Sequence, residues 1–165
     1  MPASIYQINV SQGGLPKFPI EEAVVTPHGL QGDSCAHPNI HGGPMQAVLL
    51  IAKEAIDDLA ARGYPITAGS LGENLTTVGL DRKTLRVGQR YRLGQEVIIE
   101  LTKPRGPCGA LDVYGTSLRQ EVYDSRVKAG DASSVRWGLS GFYARVVQGG
   151  LLLPGAPVVL VDQMV

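Results

Sequence analysis

Residues 91–108 read YRLGQEVIIELTKPRGPC. Two runs rich in β-branched and aromatic residues, 91–93 and 96–102, flank Gly94, which is the signature of a strand, a turn and a strand. The second run leads into PRGPC, where two prolines fix their own φ angles and stiffen the turn. Cys108 therefore leaves the end of a strand on a rigid loop, with Lys103 and Arg105 close in sequence. Nearby cations favour a thiolate, which is both the nucleophile and the soft metal ligand. A buried structural thiol is the other common fate of a free cysteine. The residue chemistry leaves both readings open.

The same pattern of short strands and turns extends in both directions. Residues 4–10 alternate as a first strand, Gly13-Gly14 turns the chain, and Pro16 and Pro19 hold it extended. Residues 22–26 read as a second strand. The continuous apolar run 46–52, QAVLLIA, reads as a buried strand. Residues 53–62, KEAIDDLAAR, carry apolar positions at helical spacing, with Gly63 at the C′ position and Pro65 beyond it. Further strands are expected at 75–78, 142–147 and 158–161, and a helix over 117–128 that ends at Gly130-Asp131. The tally is about eight short strands and two or three helices. It predicts one mostly β domain with small helical insertions (α+β), barrel-like and without repeats or linkers.

Composition agrees. Gly 21 and Pro 11 together make 32 of 165 residues, where average usage of about 12% would give about 20. Fifteen basic and fifteen acidic side chains cancel, which argues against a nucleic-acid surface. The cancellation hides an acidic front and a basic remainder. Residues 1–61 hold two basic and six acidic side chains, and residues 62–165 hold thirteen basic and nine acidic ones. The basic excess starts at Arg82, Lys83, Arg86, Arg90 and Arg92 and continues with Lys103 and Arg105, which read either as solvated strand faces or as a pocket for a small anion. Arg145, among apolar neighbours, reads as a snorkelling side chain. The first ten residues carry no leader pattern. The longest apolar run, 47–52, is far short of the about 20 residues that span a bilayer. A cytoplasmic protein with free thiols and no membrane contact is the expectation.

Two further segments carry chemistry. Residues 29–43, GLQGDSCAHPNIHGG, form an irregular loop holding Asp33, Cys35, His37 and His41. These ligand types are too compressed for paired zinc spacing, so loop-shaping hydrogen bonds from Asp33 and His41 are favoured over a structural zinc. His28 reads as a turn or surface histidine. Residues 69–75, GSLGENL, form a glycine-rich turn into a strand, whose amides suit a close ligand or anion. The segment lacks the Lys-Ser/Thr of a phosphate loop. Glu73 and Asn74 stand at the strand entrance, either facing a ligand or satisfying turn amides.

In order, Gly32-Asp33, His41-Gly42-Gly43, Gly72-Glu73-Asn74-Leu75 with Gly79-Leu80, Pro104-Arg105-x-Pro107-Cys108 and Gly138-x-x-Gly141-x-Tyr143-x-x-Val146 resemble the MOSC domain family. That family is named for the C-terminal domain of molybdenum cofactor sulfurases, and the compact stand-alone bacterial members are the nearest type. The resemblance covers roughly residues 27–161. It implies a MOSC-type β-barrel in which Cys108 matches the key cysteine. One role attached to that cysteine is thiolate ligand to the molybdenum of a pterin cofactor (molybdopterin), in enzymes reducing N-hydroxylated bases or related N-oxygenated compounds. The other is sulfur carrier, accepting persulfide sulfur from a desulfurase that itself holds pyridoxal phosphate. A non-catalytic cofactor-binding module is a third reading. Asp33, His41, Gly42, Gly43, Glu73, Asn74 and Arg105 are the implied cofactor-binding residues beside Cys108. The basic second half is the expected partner of the cofactor's phosphate. Family members commonly have Gly-Asp where this chain has Gly88-Gln89 and Gly155-Ala156, a change of turn chemistry. The fused domains of longer relatives are lacking, so a separate electron donor or cysteine desulfurase is the expected partner, acting with a small-molecule substrate. The oligomeric state is left open.

Overall fold

The computed structural model describes residues 2–34 and 43–163. It is an α+β fold dominated by strands, as expected. Eight strands form one sheet in the order β11-β7-β8-β9-β5-β6-β1-β2. Their ranges are β1 Ser4–Val10, β2 Phe18–Ile20, β5 Val48–Ala52, β6 Leu75–Val78, β7 Gln89–Leu93, β8 Val97–Pro104, β9 Phe142–Gln148 and β11 Val158–Gln163. A second sheet joins β10 Gly150–Leu152, β3 Ala23–Thr26 and β4 Gly29–Leu30. The helices are α1 Lys53–Ala61, α2 Leu118–Val122 and α3 Ser125–Lys128, with 3-10 turns at Pro44–Gln46, Arg82–Thr84 and Gly109–Tyr114.

The run VLLIA becomes β5 at the centre of the large sheet, paired antiparallel to β9 and parallel to β6. Both of its faces are covered. Val48 and Leu50 enter one apolar cluster with Ile8, Leu75, Ile99, Trp137 and Phe142. Leu49 and Ile51 enter the other, with Ile56, Leu59, Leu71 and Leu111. A strand buried on both sides needs no polar alternation, which is why its sequence is continuous in apolar residues. The parallel β5–β6 pair is connected through α1, as a crossover requires.

The expected barrel is corrected in one respect: the hydrogen-bonded sheet does not close. The start of β1 meets the chain entering β11 only at Ser4 opposite Pro157, with Ile5 N donating to Ala156 O at 2.8 Å, Val158 N to Ala3 O at 3.0 Å and Gly155 N to Ile5 O at 2.7 Å. The rest of this edge of β1, Ile8 to Val10, is already taken by β2. The expected helix over 117–128 divides into α2 and α3, because Tyr123 is extended and the Asp124 side chain caps Val127 N at 2.8 Å. The basic segment also finds structural partners. Arg90 and Arg145 clasp Glu100 from the two flanking strands, at 2.8 and 2.9 Å. Arg86 lies over the Trp137 ring, and the Arg82 guanidinium donates to the Trp137 carbonyl.

Hydrogen bonding by Arg145 and then by Arg90 holds the Glu100 carboxyl below its ordinary value. A depressed folded value contributes stability above the unfolded carboxylate value, and that contribution fades as pH falls through the folded one. Glu100→Gln is therefore expected to give a shallower loss of stability between about pH 5 and pH 3 than the parent chain. Denaturant unfolding at several pH values checks this. Parallel acid limbs would contradict it.

Candidate functional site

The turn after β8 is clamped to the turn before β9. Arg105 N donates to Gly141 O at 2.8 Å, and Ser140 Oγ donates to Arg105 O. Gly141 has φ +91°, and a Cβ there would sit 2.7 Å from Leu50 O on the central strand. Only glycine lets the two turns press against β5 this closely. The PRGPC and Gly138-x-x-Gly141 stretches, separate in sequence, are thus one structural unit.

A second wall comes from the turn before β6, and Asn74 is its hub. Its Oδ1 accepts from Leu49 N at 3.0 Å. Its Nδ2 donates to Asn9 O at 3.3 Å and to Asp33 Oδ2 at 2.9 Å. Asp33 also accepts from Ser11 N at 2.9 Å and pairs with Lys17 at 2.6 Å. The Lys17 and Asp33 side chains are only 10% and 15% exposed. Loss of the Asn74 amide would leave Leu49 N and Asp33 Oδ2 each short of a partner. Asn74→Ala is therefore expected to cost about 2–4 kcal/mol, roughly 6–12 °C in Tm. Calorimetry checks this, and a change under about 1 kcal/mol would contradict it.

Between these walls lies a cleft of ≈ 190 Å³. Cys108 and Arg105 border it on one side, Asn74, Asp33 and Lys17 on the other. Gly43, Gln46 and Tyr143 complete it, and the exposed His28 stands at its edge. Cys108 is part-buried with extended backbone and opens the 3-10 turn Gly109–Tyr114. The cleft therefore gathers Asp33, Gly43, Asn74, Arg105 and Cys108 from the residues singled out in the sequence. Glu73 does not line it. That side chain lies beneath, fully buried, with Oε2 accepting from Gly69 N and Thr76 Oγ1 at 2.9 Å each. His41 and Gly42, with Cys35 and His37, lie outside the described residues.

Arg105 is 5% exposed, and its Nε and Nη1 have no hydrogen-bond partner among the described residues. Burial pulls its guanidinium below the ordinary value, opposed by Tyr143, Cys108 and Glu73. It nevertheless stays charged. A buried cation with unused donors beside a thiol has the chemistry to hold an anion. The expected contribution of Arg82 to Arg92 is corrected here, since none of them lines the cleft. Their short side-chain tethers to Trp137, Leu85 and Glu100 hold them elsewhere. The lining cations are Arg105 and Lys17, and Lys17 comes from the acidic front of the chain. Lys17, Gln46 and Tyr143 were missed as lining residues. Only the two prolines around Lys17 hinted that its stretch is held in place.

Among the described residues, no three His, Cys, Asp or Glu side chains converge to hold a metal ion. No helix there is long and apolar enough to cross a membrane. The family model described as "MOSC domain" matches residues 37–159. The uncharacterized protein YflK of Bacillus subtilis is 30% identical over 154 residues, covering 91% of this chain and 64% of that protein. A protein of Gibberella moniliformis named "Reductase" is 29% identical over 141 residues, covering 82% of this chain and 23% of that one. The chain thus spans less than two thirds of these curated relatives. The crystal structure of YiiM from Geobacillus stearothermophilus superposes with a TM-score of 0.69 at 28% identity, over 98% of this chain and 76% of that one.

Proposed function

The chain belongs to the MOSC domain family, and from that premise we propose that it binds a molybdenum cofactor with Cys108 as thiolate ligand and reduces N-hydroxylated bases or related N-oxygenated compounds. One observation carries this reading. The cleft places an accessible thiol beside a buried guanidinium whose Nε and Nη1 are unpartnered. That donor set fits a cofactor that offers a soft metal and an anionic phosphate together. A single candidate thiolate with no converging ligand cluster among the described residues also fits a metal whose remaining ligands arrive with an organic chelate. The kinship with a protein named "Reductase" supports a redox reaction.

In this reading Cys108 Sγ holds the metal at the end of a turn that cannot drift, because Pro104 and Pro107 stiffen it and Gly141 and Ser140 anchor Arg105. Arg105 binds the anionic part of the cofactor. Asn74 fixes the opposite wall through Asp33, and Asp33 orients Lys17 towards the same space. Bound cofactor supplies two-electron exchange at molybdenum, with the electrons arriving from a separate donor protein. A cleft of ≈ 190 Å³ is smaller than the roughly 300–1,000 Å³ of whole small-molecule sites. It therefore suits one end of the cofactor and leaves a compact substrate outside it.

The test uses protein purified from a host able to make the cofactor. With a chemical electron donor it is expected to reduce an N-hydroxylated base to the amine, in proportion to its molybdenum content. Equal activity in metal-free protein would overturn the reading. A persulfide on Cys108 after incubation with a desulfurase and cysteine, in protein that never acquires molybdenum, would replace it with sulfur transfer.

A further inference from the structure

Glu73 and Arg105 are two buried ionisable groups with polar atoms unused among the described residues: Oε1 on the carboxyl, Nε and Nη1 on the guanidinium. Neither belongs to an ion pair among the described residues, yet their charges act on one another. Arg105 lines the cleft and Glu73 lies behind it. We propose that Glu73 couples the cleft to protons: an anion bound beside Arg105 is accompanied by uptake of a proton from solvent onto the Glu73 carboxyl.

The coupling follows from position. With the cleft empty of anion, burial pushes the Glu73 carboxyl above its ordinary value, opposed by hydrogen bonds from backbone amides and Thr76 and by the Arg105 charge. An anion next to Arg105 offsets that charge and pushes the carboxyl further towards the neutral acid that burial favours. The proton goes to an oxygen that lacks a partner, and no protein bond has to break. The other groups facing Glu73 are fixed and do not substitute for it. Gly69 N and Thr76 Oγ1 donate to Oε2, and the Tyr114 hydroxyl, from the 3-10 turn, is engaged with Ser70 O at 2.6 Å. In the cleft itself, Asp33 is held by Lys17 and Asn74. Cys108 and His28 remain as titratable neighbours that the test must separate.

The inference stands on the cleft and not on which cofactor fills it, so molybdenum-free full-length protein serves. Sulfate is the probe, because it does not titrate near neutrality. Calorimetry in two buffers of different ionisation enthalpy, over about pH 5 to 9, reads the protons taken up per sulfate. The expected result is an uptake that rises towards one proton within that range, with sulfate affinity falling up to about tenfold per pH unit there. Uptake is expected to persist in Cys108→Ser and His28→Gln and to vanish in Glu73→Gln, which binds sulfate with a flat pH profile. Infrared difference spectra of the parent chain provide a second readout should Glu73→Gln fail to fold. Sulfate is expected to add a protonated-carboxyl band. No sulfate binding, no uptake, uptake unchanged in Glu73→Gln, or no carboxyl band would each overturn the inference.

Discussion

Cys108→Ser is expected to lose molybdenum by at least roughly a hundredfold in affinity, and reductase activity with it, while unfolding at the parent temperature. The oxygen of serine is a hard donor that replaces a soft thiolate poorly at this metal. Among the described residues, no backbone hydrogen bond of the turn uses the sulfur. The carbonyl of residue 108, which accepts from Leu111 N at 3.2 Å, survives the change, and so do the anchors of Arg105 on Gly141 and Ser140. Cys108 is part-buried, so replacing the sulfur leaves no large cavity in either apolar cluster. Metal analysis beside a thermal melt separates the two effects. Full metal retention in Cys108→Ser would remove the thiolate from the site. A large fall in Tm would instead make this a structural thiol.

Arg105→Met is expected to abolish sulfate binding and at the same time raise stability by about 1–2 kcal/mol, roughly 2–8 °C in Tm. A guanidinium taken from water without a carboxylate partner costs several kcal/mol, which a thioether of similar length does not incur. The backbone bonds that place residue 105, to Gly141 O and from Ser140 Oγ, do not involve the guanidinium. Loss of the contact with Tyr143 subtracts a smaller amount. The opposite signs of the two effects mark a group that is retained for binding and works against the fold. Destabilisation by 2 kcal/mol or more would instead show that the guanidinium is satisfied inside the protein.

The parts of the fold that local pattern determines were legible. The run VLLIA marked the central strand, and KEAIDDLAAR with Gly63 and Pro65 marked the bounds of α1. The strand ahead of PRGPC was visible from its β-branched run, and only its last two residues were missed. Non-local pairing was not legible. Whether β11 closes on β1 depends on which edge β2 occupies, and no local spacing encodes that. The split at Tyr123 follows from Asp124 capping a new turn, a signal present in the sequence but outweighed by the apolar spacing around it.

The site was half legible. Cys108 and Arg105 stood out because the prolines around them announce a rigid turn, and Asn74 because it opens a strand. Lys17 joins them only through Asp33, sixteen residues away, in a contact that no motif carries. Charge counting reached Arg105 but led with five side chains that do not line the cleft. A basic segment supplies a pocket only if its side chains are not already used, and Arg82, Arg86 and Arg90 are. A buried arginine with two donors unused among the described residues says more about a ligand than the net charge of the half that contains it.

Molybdenum per polypeptide, measured on protein purified from a cofactor-competent host, decides whether Cys108 holds the metal. The account expects close to one atom per chain in the parent and almost none in Cys108→Ser of equal thermal stability. A folded parent chain that leaves such a host without molybdenum would contradict it.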